Sequence, residues 1–170
     1  MAFALSHHIH YLFLLWLLPP STLAQTNANN SLGSYLTALD DNSSWNSPSG
    51  EFVFGFRSIF AINFLLAIWF DKIPEKTIIC SANGNSLAQK GSKVELTTGG
   101  QLVLSDTNMQ QVWANNVTAS GVNYASMLNT GNFVLARQDY VNLWESFNSP
   151  TDTILPTQVL NQGGILVSRE

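Results

Sequence analysis

Eleven carboxylates, three histidines and one cysteine stand first among the side chains in this chain that could carry acid–base, nucleophilic or metal chemistry. The histidines, His7, His8 and His10, all stand in the first 24 residues. That stretch, MAFALSHHIHYLFLLWLLPPSTLA, has an apolar core from Tyr11 to Leu18, a Pro19-Pro20 breaker and a small-residue exit at Thr22-Leu23-Ala24. It reads as a secretory signal peptide over residues 1–24, cleaved before Gln25. The apolar core is too short to span a bilayer. A mature chain beginning at Gln25 contains no histidine, so the Ser-His-Asp and Cys-His arrangements are excluded. Zinc sites built on imidazole go with them, and a single thiol, Cys80, builds neither a thiolate cluster nor an internal disulfide. A glycosidase needs two carboxylates facing each other across a cleft. The spacing of Asp40, Asp41, Glu51, Asp71, Glu75, Glu95, Asp106, Asp139, Glu145, Asp152 and Glu170 proposes no such pair. The expectation is a protein with no catalytic residue, no metal and no cofactor.

The remaining chemistry is hydrogen bonding and apolar contact, which is the chemistry of binding. Charged residues are 11% of the chain and the formal charge is −4, which offers no basic footprint to a nucleic acid. Three Asn-x-Ser/Thr sequons, at Asn29, Asn42 and Asn116, are candidate N-glycan acceptors on an exported chain. The second apolar run, Ile59 to Phe70, is too short for a membrane helix. Its β-branched and aromatic residues predict a pair of buried strands, or one long strand with an irregularity.

The elements that must position any binding groups come from an internal repeat. SGEFVFGF (Ser49–Phe56), GGQLVLSD (Gly99–Asp106) and TGNFVLAR (Thr130–Arg137) each open with a turn glycine, Gly50, Gly100 or Gly131, and continue as a strand. Trp113 and Trp144 stand thirteen residues after Gly100 and Gly131. The first unit carries a longer insert and should reach its equivalent strand at TIICSAN. Ile79-Cys80 then aligns with Val112-Trp113 and Leu143-Trp144, and Cys80 stands where the other units have tryptophan. One small sheet cannot bury its apolar face alone, whereas three packed about an axis can. The expected architecture is all-β, a β-prism of three pseudo-symmetric four-stranded units, with Trp113 and Trp144 in the shared core. A β-sandwich is the alternative.

These segments, together with FLLAIWFDKIPEKTIICSANGNSL, KVELTTGGQLVLSDTNMQQVWANN and MLNTGNFVLARQDYVNLWESFNSPTDTILP, resemble a bulb-type mannose-binding lectin domain. More narrowly, they are similar to the N-terminal domain of plant G-type lectin S-receptor-like serine/threonine kinases. The resemblance implies a β-prism II fold, a lectin domain over residues 25–151 and a C-terminal segment, residues 152–170, beginning a linker. It also implies display outside the plasma membrane, with mannose-type glycans or cell-wall and extracellular glycoproteins as partners. No kinase signature and no membrane span is found in the chain, which is either a fragment of a longer receptor or a short secreted form. Nothing in the sequence sets an oligomeric state.

The family's sugar site follows Gln-x-Asp-x-Asn-x-Val-x-Tyr, in which alternate strand residues share one face. Carried onto the first unit, the positions are Ser47, Ser49, Glu51, Val53 and Gly55, and only Val53 matches. In the second they are Thr97, Gly99, Gln101, Val103 and Ser105, where Val103 matches and Gln101 is a near relative of Asn. In the third they are Leu128, Thr130, Asn132, Val134 and Ala136, where Asn132 and Val134 match. The candidate sugar contacts are therefore Asn132, Val134, Gln101 and Val103. No unit keeps the Asp or the Tyr, so weak or absent mannose binding is expected. A structural or protein-interaction domain is the competing reading.

Overall fold

The computed structural model describes residues 28–39, 43–60, 62–116, 121–160, 162–163 and 166. The expected signal peptide and the Asn42 sequon lie outside the described residues.

Among the described residues the chain forms strands and one short 3-10 turn at Ser146–Asn148. The strands are β1 (Asn29–Ser31), β2 (Tyr35–Thr37), β3 (Ser44–Asn46), β4 (Phe52–Phe60), β5 (Asn63–Phe70), β6 (Ile78–Ser81), β7 (Ala88–Gln89), β8 (Lys93–Leu96), β9 (Leu102–Ser105), β10 (Gln111–Ala114), β11 (Tyr124–Met127), β12 (Phe133–Ala136) and β13 (Asn142–Glu145). They build three antiparallel sheets. Sheet A is β1-β11-β12-β13, sheet B is β10-β9-β8-β2, and sheet C is β3-β4-β5-β6 with β7 added against β5. The run Ile59 to Phe70 is the end of β4, a turn and β5.

Alternation drives the layering. In β8 (KVEL) and β9 (LVLS), Val94, Leu96, Leu102 and Leu104 point inward while Lys93, Glu95, Val103 and Ser105 point outward. The inner faces of all three sheets meet in one core, including Phe54, Leu66 and Ile68 from sheet C, Leu96 and Leu104 from sheet B, and Met127, Phe133 and Leu135 from sheet A. Trp45, Phe54 and Phe133 stack at its centre, with Phe54 and Phe133 ring centroids 4.1 Å apart. Three sheets around one core form a prism, which excludes the two-layer sandwich.

Each sheet carries a β-bulge at the same place. The register slips between Ile68 and Trp69 opposite β6, between Gln111 and Trp113 in β10, and between Leu135 and Ala136 opposite β13. Just past each bulge, Cys80 faces Ile68, Trp113 faces Leu104 and Trp144 faces Leu135. Cys80 therefore occupies the ladder position that holds tryptophan in the other two sheets.

Two features differ from the sequence expectation. The outer strands of sheets A and B are β1 and β2, donated by the N-terminal segment to partners far along the chain, so only sheet C is locally continuous. The glycine-led repeat also aligns at the turn and not at the strand. Gly50, Gly100 and Gly131 sit at φ of 67°, 83° and 85°, each donating its N–H back across a tight turn, to Ser47, Thr97 and Leu128. Gly100 and Gly131 lead into β9 and β12, the third strands of their sheets, whereas Gly50 leads into β4, the second strand of sheet C. The counterpart of β9 and β12 is β5. The first-unit strip of Ser47, Ser49, Glu51, Val53 and Gly55 is accordingly displaced by one strand.

Beyond the 3-10 turn the chain folds back over sheet C. Thr151 Oγ1 accepts from the Ser81 N–H at 3.0 Å, the Thr153 N–H donates to the Ile79 carbonyl, and Leu155 is buried against Gly131.

Candidate functional site

A side-chain acceptor recurs once per sheet and sets the register of everything outside it. The Leu66 N–H donates to Asn83 Oδ1 at 2.7 Å, the Leu102 N–H to Asn115 Oδ1 at 2.9 Å, and the Phe133 N–H to Ser146 Oγ at 2.9 Å. Asn83, Asn115 and Ser146 are all buried. Sequence reasoning missed them, although Asn115 and Ser146 each follow a repeat tryptophan by two residues. With these anchors aligned, the strip positions of Gln101 and Asn132 correspond to Leu65 in sheet C, Val103 and Val134 to Ala67, and Ser105 and Ala136 to Trp69.

The outer strips then differ sharply. In sheet C, Leu65 and Ala67 are buried and apolar, and only Trp69 reaches the surface. In sheet B, Gln101 and Val103 are half-buried, and the Gln101 N–H is held by Thr97 Oγ1. In sheet A, Asn132 is 6% exposed and Val134 is 2% exposed. The Asn132 amide is bonded within the protein at both its nitrogen and its oxygen. Its Nδ2 donates to Glu145 Oε2 at 2.8 Å, and its Oδ1 accepts from Ser146 Oγ and from the Phe147 N–H, both at 3.2 Å. An amide so placed holds the 3-10 turn against β12.

The other positions of interest are separate from these strips. Trp113 and Trp144 are half-buried and pack on the rim of the core, and Cys80, also half-buried, directs its Sγ toward the Ser149 carbonyl at 3.6 Å. Of the sequons, Asn29 is exposed on the edge strand β1 and Asn116 is exposed after β10.

A polar groove of about 600 Å³ crosses the outer face of sheet C, lined by Ser44, Asn46, Arg57, Trp69, Asp71 and Lys76 among others. Lys76, at φ 50°, folds its ammonium onto the Asp71 carboxylate at 2.6 Å. Trp69 Nε1 donates to the same carboxylate at 3.4 Å. The hydrogen bond from Lys76 holds the Asp71 carboxyl below its ordinary range, against the opposing effect of burial. Arg57 ties the 71–77 loop to β4 through the carbonyls of Lys76 and Glu75, and burial lowers its pKa. The groove thus offers the Trp69 and Phe56 rings among donors and acceptors, with two cationic groups against one carboxylate. Among the described residues no cluster of His, Cys, Asp and Glu could hold a metal, and no helix is long and apolar enough to cross a membrane.

Three antiparallel sheets about one core, each with a strip of residues on its outer face, are the architecture of a lectin-type β-prism. Residues 77–164 match the family described as D-mannose binding lectin. The chain belongs to this bulb-type lectin family. It is 47% identical over 157 residues to a G-type lectin S-receptor-like serine/threonine-protein kinase of Oryza sativa subsp. indica, covering 86% of this chain and 19% of that protein. A G-type lectin S-receptor-like serine/threonine-protein kinase of Arabidopsis thaliana is 41% identical over 175 residues, covering 95% of this chain and 21% of the relative. The chain thus spans about a fifth of the length of these relatives. A monomeric monocot mannose-binding lectin from Gastrodia elata shares the fold with a TM-score of 0.54 at 18% identity, over 77% of this chain and 98% of that one. The Marasmius oreades lectin does so with a TM-score of 0.51 at 18% identity, over 71% and 90%.

Proposed function

We propose that this chain is an extracellular glycan-recognition domain of the receptor-like-kinase type whose mannose strips are closed. The closed state of Asn132 carries the reading. At the one strip that keeps both the amide and the valine of the family motif, the amide is engaged by Glu145, Ser146 and Phe147 and the valine is buried. A sugar hydroxyl there would be desolvated with no bond in return. Recognition then falls to the groove on sheet C, where Trp69 offers an apolar face and Asp71, Lys76, Arg57 and Asn46 offer polar groups.

The signal over residues 1–24 delivers the chain to the cell exterior, and Asn29, Asn42 and Asn116 carry glycans there. N-terminal sequencing of the secreted chain should begin at Gln25, and its mass should fall on deglycosylation.

The binding test is calorimetry with methyl α-mannoside followed by a glycan array on the secreted chain. No heat is expected with the mannoside, and array signals should be lost in Trp69→Ala. Mannoside binding abolished by Asn132→Ala in a variant that keeps its circular dichroism spectrum would overturn the proposal. The missing Asp and Tyr of the motif favour a second reading, a protein-binding domain. It wins if the array is blank and a cell-wall extract yields one defined protein partner insensitive to added mannose.

A further inference from the structure

We infer, on the reading that recognition falls to the groove of sheet C, that its ligand is an acidic sugar: a uronate residue of a glycan, with its carboxylate on Arg57 and its ring on Trp69. The charged residues lining the groove are Arg57, Asp71 and Lys76. Lys76 and Asp71 neutralise each other at 2.6 Å, and Trp69 Nε1 adds a donor to the same carboxylate. Arg57 has no such partner. It is half-buried and pairs with no carboxylate among the described residues. Its guanidinium is held by neutral groups, the Lys76 carbonyl at Nη1 and the Glu75 carbonyl at Nη2, the latter at 3.2 Å. Burial is what lowers its pKa, with no anion opposing it. One positive charge is therefore left over in the groove and partly withdrawn from water.

An incoming carboxylate supplies the missing counter-charge. The two carbonyls fix the plane of the guanidinium, and its remaining N–H groups, Nε–H among them, have no acceptor among the described residues. A planar fork so held matches a carboxylate without further ordering. The rest of the groove selects a sugar over a bare anion. Asn46 and Trp69 stand in one row across the outer face, on either side of Val53, which sets their strands about 10 Å apart. Trp69 is half-buried, and its bond to Asp71 orients a ring on which the C–H face of a pyranose can lie. On the other side Ser44 Oγ donates to Asn46 Oδ1 at 2.7 Å, which turns the Asn46 amide N–H groups to sugar hydroxyls. Gly55 lets β3 come this close, since a Cβ there would stand 3.2 Å from the Ser43 carbonyl oxygen and from Ser44 Cβ. A neutral hexose would use Trp69 and leave Arg57 uncompensated. An inorganic anion would use Arg57 and leave Trp69 empty. A uronate uses both.

The test is calorimetry of the purified secreted chain with trigalacturonate, triglucuronate and the methyl ester of each, which keeps the rings and removes the charge. At least one acid should bind on the order of tenfold more tightly than its ester, the worth of a charge-assisted hydrogen bond. That preference should shrink as salt is added. Arg57→Gln should erase the preference, and Trp69→Ala should weaken acid and ester alike. Should Arg57→Gln fail to fold, the comparison of acid with ester in the unmodified chain decides. An ester that binds as tightly as its acid, or a preference that survives in a folded Arg57→Gln, overturns the acidic specificity. So does failure of both acids to bind while neutral array glycans bind through Trp69, and in that case the groove remains a glycan site. Absence of any Trp69-dependent glycan overturns the acidic specificity and the groove reading together.

Discussion

Replacing Cys80 with tryptophan should stabilise this domain. The position faces Ile68 as Trp113 faces Leu104 and Trp144 faces Leu135, and it opens on a cavity of about 280 Å³. Were that cavity sealed and dry, its volume would correspond to about 7 kcal/mol at about 24 cal/mol per Å³. It opens to solvent at Asn116 and Ser149, so area is the better guide. A fully buried indole withdraws on the order of 250 Å² from water, or on the order of 6 kcal/mol at about 25 cal/mol per Å². The two native tryptophans are half-buried, which leaves about 3 kcal/mol. Displacing the thiol and ordering the new side chain together take about 1 kcal/mol. The expected gain is about 2 kcal/mol, or about 4–8 °C in Tm for a chain of this size. Differential scanning calorimetry and urea denaturation of both proteins measure it. A lower Tm would mean that the ring is forced into occupied space and that the cavity is not indole-shaped. An unchanged Tm with a fully exposed tryptophan emission spectrum would refute the equivalence of the three ladder positions.

Other consequences follow from single contacts. Asn83→Ala strands the Leu66 N–H and the Phe64 carbonyl in the core and should lower stability by about 3 kcal/mol in urea titrations. Gly131→Ala combines φ 85° with a Cβ that would collide with Leu155 Cδ1. Gly33→Ala meets open space at φ 84°, so the first should cost at least about 1 kcal/mol more than the second by thermal melt. Asp71 has a folded pKa below its unfolded value, so its contribution is present above about pH 4 and fades as pH falls through the folded pKa. Its side chain and that of Lys76 are each 40% exposed, so the effect is well under 1 kcal/mol. Asp71→Asn should remove that part of the stability loss below about pH 4, and an identical acid profile for both proteins would count against the ion pair.

Much of the architecture is local and was legible in the residues. The glycines at 50, 100 and 131 announce turns because each sits at positive φ, and alternation in KVEL and LVLS announces strands with one face inward. The pairing of Cys80 with Trp113 and Trp144 was visible because the apolar residue before each, Ile79, Val112 or Leu143, is retained. The strands β1 and β2 were not foreseen. Three residues carry too little periodicity to declare a strand, and β1 finds its partner β11 about 95 residues away. The displaced first strip has a related cause. The sequence around Gly50 matches the other turns, but whether such a turn leads to a second or a third strand depends on which strands come from elsewhere in the chain.

The candidate site divides the same way. Residue types and the glycine-led repeat alone determined that this chain has an all-β pattern, and the segments around that repeat carried the resemblance to the lectin family. Only the tertiary structure decided that Asn132 faces Glu145, Ser146 and Phe147 instead of solvent, that Asn83, Asn115 and Ser146 anchor the three sheets, and that a cavity stands beside Cys80. A hydrogen-bonding amide has the same composition whether it serves a ligand or its own fold. Which it does depends on the side chains that the neighbouring strand brings within about 3 Å, and that distance is fixed by packing between residues remote in the chain.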